Sequence, residues 1–210
     1  MINYVMKYYD KLLTALFEHL QLVVISMFFS LCVISILLVF CIYFHALQNL
    51  LVSITSMLYS IPSLAMFAIL IPLTGLGKTT AILVLVIYNQ YLLLRNFLTG
   101  LREVDESIIE AATAMGMKKM QLLLLIQLPL SKKAIFAGIR IAIVSTIGIG
   151  TIAASINAGG LGTILFDGLR TLNTNKIIIG SILSASLAII AHYGLRGIEV
   201  KLDKKFSESK

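Results

Sequence analysis

Three sets of residues in this 210-residue sequence have types and spacings that invite chemistry. The first is Gly77-Lys78-Thr79, closing the run LTGLGKTT like the end of a phosphate-cradling loop. The spacing rejects nucleotide binding, because such a loop needs a glycine five positions before Gly77 and Pro72 stands there. The second is histidine: His19, His45 and His192 are scattered without metal-ligand spacing. No apolar stretch carries paired carboxylates or a nucleophile beside a base, so neither catalytic nor metal-ligating residues are expected. The third is Tyr59, Ser60, Tyr88, Asn89 and Tyr91, aromatic faces with polar neighbours in otherwise apolar runs. Aromatic faces attract organic cations, whereas nearby lysine or arginine repels them. These five are candidates for a solute path, with plain packing in a helix bundle or anchoring at an interface as the alternative.

The elements that position them are membrane helices. The chain is 59% hydrophobic and only 13% charged, with a mean hydropathy of +0.97, which excludes a soluble domain. A net charge of +7 in so apolar a chain points to lysines and arginines held on the cytoplasmic side rather than to nucleic acid. About 20 apolar residues cross the hydrocarbon, and five runs meet that length, at residues 20–44, 50–72, 79–99, 134–156 and 177–195. Residues 1–19 read as an interfacial segment and 203–210 as a basic tail. Pro62 predicts a kink in the second run, where freed backbone groups need new partners. Arg95, near the end of the third, either snorkels to the cytoplasmic interface or faces a path. Small residues from Gly148 to Gly162, and Gly180, Ser184 and Ala188, allow close helix packing. Cys32 and Cys41, nine residues apart in one apolar run, fall on opposite helix faces and cannot bridge.

Between the third and fourth runs lies a loop, residues 100–133, containing EAATAMGMKKMQLLLLIQLP from Glu110 to Pro129. Ser107 followed by Glu110 is a capping-box pattern, Ala111, Ala112 and Ala114 favour helix, and Gly116 suits a C-terminal cap. A second, amphipathic helix follows from Lys118 and Lys119, and Pro129 marks a bend. Arg102, Lys118, Lys119, Lys132 and Lys133 place this loop in the cytoplasm, as Lys201, Lys204 and Lys205 do the C-terminus; five spans then put the N-terminus outside.

The loop resembles that of binding-protein-dependent ABC importer permeases: Glu-Ala-Ala, three residues, Gly, nine residues, Ile-x-Leu-Pro. Glu110-Ala111-Ala112, Gly116 and Ile126-Gln127-Leu128-Pro129 fill every position. The resemblance implies an all-α polytopic membrane protein of the type I ABC importer (MetI-like) fold in a bacterial cell membrane. It also implies that Glu110, Ala111, Ala112 and Gly116 form a coupling helix against an ATP-hydrolysing subunit. Ser60-Ile61-Pro62-Ser63-Leu64-Ala65, Gly75-Leu76-Gly77, Leu94-Arg95-Asn96 and Ala158-Gly159-Gly160-Leu161-Gly162 narrow the likeness to osmoprotectant permeases for glycine betaine, carnitine or choline. Methionine, another amino acid or a betaine-like thiol such as ergothioneine is the alternative cargo. That branch usually has prolines after its Gly-x-Gly turn and before its Leu-Arg-Asn segment, where this chain has Thr80 and Tyr91 to Leu93.

The implied partners are ATP-binding subunits, which would hold ATP and Mg, a second permease copy or paralogue, an extracytoplasmic substrate-binding protein and membrane lipid. No cofactor is expected on this chain. It ends at Lys210 without a second domain, so the ATPase and the receptor are expected as separate polypeptides. A membrane enzyme would need the missing catalytic groups, and a channel would not need a conforming coupling loop.

Overall fold

The computed structural model describes residues 2–207, and every regular element among them is helical. α1 (Ile2–Tyr43), α4 (Lys78–Arg102), α7 (Lys132–Ile152) and α9 (Thr174–Ser207) contain the four runs long and apolar enough to cross a membrane. α2 (His45–Ser60) and α3 (Ser63–Thr74) form a fifth, broken span bent by 98°. The break falls at Pro62, whose missing N–H prevents the helix from running through. Four spans plus a bent pair are the architecture expected of the fold class.

α4 is the centre of the bundle, touching α1, α2, α3 and α7. Tyr88, Asn89 and Gln90 in its second half are therefore covered by protein, as polar groups at membrane depth require, while Arg95 is exposed. One apolar cluster, with Ile34, Cys41, Leu94, Leu98 and Ala142, fills the half nearer Arg102, and Leu123 from the loop inserts into it. A second, with Phe67, Ala81, Val84, Tyr88 and Ala153, fills the half nearer Lys78. Cys32 is exposed and Cys41 buried, as their opposite faces require.

The elements at the two ends of the chain differ from expectation, and a further helix lies between the fourth and fifth runs. Residues 9–19 continue α1 instead of forming a separate interfacial segment, the one departure from helical geometry being at Tyr8. The 42 residues of α1 are about 63 Å long, twice a hydrocarbon core of about 30 Å. The excess packs against the chain: Leu12 and Ala15 are buried with Leu161, Ile164 and Ile179. Between the fourth and fifth apolar runs, Asp167 and Arg170 lie on α8 (Gly162–Arg170), which folds back on α9 as a helical hairpin. α9 continues to Ser207, so the expected basic tail begins as helix, and its last residues, 208–210, lie outside the described residues.

Candidate functional site: the coupling loop and the tyrosine-lined break

The loop between α4 and α7 folds as two helices around a glycine. α5 (Glu106–Ala114) is capped by Asp105. The Asp105 carboxylate accepts the Ser107 backbone N–H at 2.9 Å and the Ser107 hydroxyl at 2.8 Å. The helix therefore starts two residues before the expected Ser107 and Glu110 pattern, because the Asp105 carboxylate accepts from both the backbone N–H and the hydroxyl of Ser107. The same two hydrogen bonds hold the Asp105 carboxyl below the usual carboxylate range. At the other end Gly116 has φ +83°; its N–H bonds to Thr113 O at 2.9 Å, and Met117 N–H bonds to Ala112 O at 3.2 Å. This crossed pair is the Schellman arrangement, which needs a left-handed residue at the glycine position.

α6 (Lys119–Leu130) leaves at once, the Lys118 N–H bonded to Gln121 Oε1 at 2.9 Å. Its turn from Leu123 to Gln127 is wound wider than an α-helix. Pro129 cannot accept ordinary α geometry four residues upstream without a clash, and the wider turn accommodates it. The bend expected at Pro129 comes at Ser131, whose hydroxyl donates to Gly100 O at 2.7 Å and ties the loop's exit to its entrance. Of the four residues expected to couple, Ala112 is 2% exposed while Glu110, Ala111 and Gly116 face outward beside Met115, itself 77% exposed. A short helix with an open outer face and a fixed inner one can be pushed as a unit. Behind it lies a cavity of about 630 Å³ lined by Leu98, Leu101, Arg102, Ile109, Lys119 and Leu122 among others.

The structure brings the three tyrosines together at the break in the second span. Tyr59 stands 5.6 Å from Tyr88, edge to face, and 5.0 Å from Tyr91, ring centre to ring centre. The buried Tyr88 hydroxyl donates to Ile61 O at 2.6 Å, satisfying a carbonyl freed by Pro62. Ser60 is exposed beside them and spends its hydroxyl on Ser56 O at 2.8 Å. Asn89 is not with this set. It is 2% exposed on another face of α4, bonded to Ser30 Oγ at 3.1 Å and to the Thr146 hydroxyl at 3.0 Å, and so joins α1, α4 and α7. Arg95 is exposed, and its Nη1 donates to the Tyr91 hydroxyl at 2.7 Å.

A second contact escaped sequence reasoning. The Glu18 carboxylate accepts the Gly160 N–H at 2.9 Å, and His19, fully buried, meets Ile147 O at 3.1 Å. Gly159 and Gly160 both have left-handed φ, and a Cβ on either would lie within 3 Å of Glu18 or His19. The one hint was an ionisable pair at the edge of an apolar run.

Residues 33–204 match the family described as the binding-protein-dependent transport system inner membrane component. The chain belongs to this family. The permease is 41% identical over 153 residues to the carnitine transport permease protein OpuCD of Listeria monocytogenes, covering 72% of this chain and 69% of that protein. It is 39% identical over 149 residues to the glycine betaine/carnitine/choline transport system permease protein OpuCD of Bacillus subtilis, covering 70% and 65%. Its fold is similar to that of an inward-facing MetNI methionine ABC transporter, with a TM-score of 0.85, 22% identity and coverage of 93% of this chain and 97% of that one. At that identity the likeness is one of fold alone. The permease is a transport subunit, not an enzyme.

Proposed function

We propose that this chain is the membrane-spanning subunit of an ATP-driven importer for quaternary-ammonium osmoprotectants, in the class of glycine betaine, carnitine and choline. The observation that carries the reading is the Tyr59, Tyr88 and Tyr91 cluster at the broken second span. Tyr59 and Tyr91, partly exposed beside the buried Tyr88, offer a permanently cationic group the attraction that water otherwise supplies. The two OpuCD relatives, named for such solutes, support the same class.

In this reading Glu110, Ala111 and Gly116 dock on an ATP-binding subunit, which holds ATP and Mg, while the buried Ala112 seats the helix on its own chain. A second permease copy or paralogue completes the pathway, and an extracytoplasmic binding protein delivers solute. The N-terminus lies outside and the C-terminus in the cytoplasm, on the count of Arg102, Lys118, Lys119, Lys132 and Lys133 in the coupling loop. Nucleotide state drives transport only by stabilising two packings of the spans unequally. The break at Pro62 supplies a natural joint between such packings.

Uptake of radiolabelled solute into proteoliposomes holding the whole importer and its binding protein tests the proposal. Uptake competed by glycine betaine, carnitine or choline is the expected result. Competition by methionine and by none of those three would refute the substrate class.

A further inference from the structure

Beside the tyrosines α4 lines a second cavity. Arg95 and Arg102 stand seven residues apart on α4 and line a cavity of about 400 Å³ with Asn49, Ser53 and Thr99. Arg102 donates to Gln48 Oε1 at 3.2 Å and Arg95 to the Tyr91 hydroxyl. Among the described residues no carboxylate forms an ion pair with either. Arg140, by contrast, is paired with Glu199. Two guanidinium groups that form no ion pair and line one cavity attract an anion, and a guanidinium offers a carboxylate two parallel N–H donors.

Tyr91 joins the two sites, since its ring belongs to the aromatic cluster and its hydroxyl to Arg95, whose guanidinium carbon lies 5.9 Å from the ring centre. A bare cation at the rings is repelled by Arg95; a zwitterion whose carboxylate meets Arg95 is not. We propose that Arg95, backed by Arg102, receives the carboxylate of the solute while the tyrosines hold its ammonium group. Arg95 thereby favours glycine betaine and carnitine over choline, which has no carboxylate. This rests on the substrate class proposed above.

The test uses the whole importer in nanodiscs, with Ser53→Cys on a background carrying Cys32→Ser and Cys41→Ala. Ser53 is exposed and lines the cavity, so a small thiol reagent reports on its occupancy once the substitution is made. Carnitine slows labelling, and choline requires a concentration about tenfold higher for the same protection, the equivalent of one charge-assisted hydrogen bond. Arg95→Gln reduces carnitine to the level of choline, and Arg95→Lys retains part of the difference. Equal protection by both solutes, carnitine protection unchanged in Arg95→Gln, or an introduced thiol that never reacts overturns the assignment. Uptake on the same preparations separates the two readings. Import of quaternary-ammonium solutes without carnitine protection overturns the role of Arg95 alone, whereas import of methionine and no such solute overturns the substrate class.

Discussion

Replacing Gly116 isolates the coupling loop from the rest of the permease. A Cβ built at Gly116 meets nothing within 4 Å, so packing costs nothing and the whole effect comes from the backbone at φ +83°. Holding an ordinary L-residue in that region costs about 1–2 kcal/mol, enough to reduce the population of the native turn about 5- to 30-fold where nothing compensates. A β-branched residue is worse placed still, and asparagine tolerates the region. The expected order is therefore Asn closest to Gly, then Ala, then Val, with insertion and expression unchanged because no spanning residue is touched. Reconstituted importers carrying each variant are assayed for ATP hydrolysis stimulated by loaded binding protein, for uptake per ATP, and for ATPase subunit retained through purification. The reasoning predicts that Gly116→Val loses both stimulation and uptake while Gly116→Asn keeps most of each. Normal stimulated hydrolysis and uptake in Gly116→Val would falsify the assignment of Glu110 to Gly116 as the coupling element.

Gly162→Ala acts by collision: its Cβ would lie 1.9 Å from Thr151 O, a backbone atom that cannot swing away. Overpacking of this kind costs about 1–3 kcal/mol or more, and a clear drop in the melting temperature of the purified permease is expected; an unchanged melt would contradict the close approach. Asn89→Ala removes the buried link between Ser30 and Thr146, worth about 1 kcal/mol by measurements on other membrane helices. It is expected to lower stability and leave relative solute preference unchanged, so an altered preference in competition assays would return Asn89 to the path. For topology, on a background without native cysteines, Lys78→Cys is expected to react with an impermeant thiol reagent in intact cells and Lys118→Cys only after lysis. The reverse pattern inverts the orientation.

The sequence by itself determined the class of protein, the runs long enough to cross a bilayer and the glycine turn in the loop that follows Arg102. Those features depend on local quantities: run lengths against bilayer thickness, the φ that Gly116 requires, and the N–H that Pro62 lacks. The tyrosines also stood out by type. What sequence spacing could not supply was which helix faces meet. Tyr59 meets Tyr88 and Tyr91 because α2 breaks against α4, and Asn89, one residue from Tyr88, turns to Ser30 and Thr146 instead. Arg95 was legible as costly at its depth but not as a partner of Tyr91, since one helical turn joins them only if the rest of the bundle leaves that face open. The Glu18 and His19 contact with Gly159 and Gly160 spans more than 140 residues of chain. It exists because the first part of α1 packs back on the chain and two glycines leave room for its side chains, a matter of tertiary packing that no local pattern encodes.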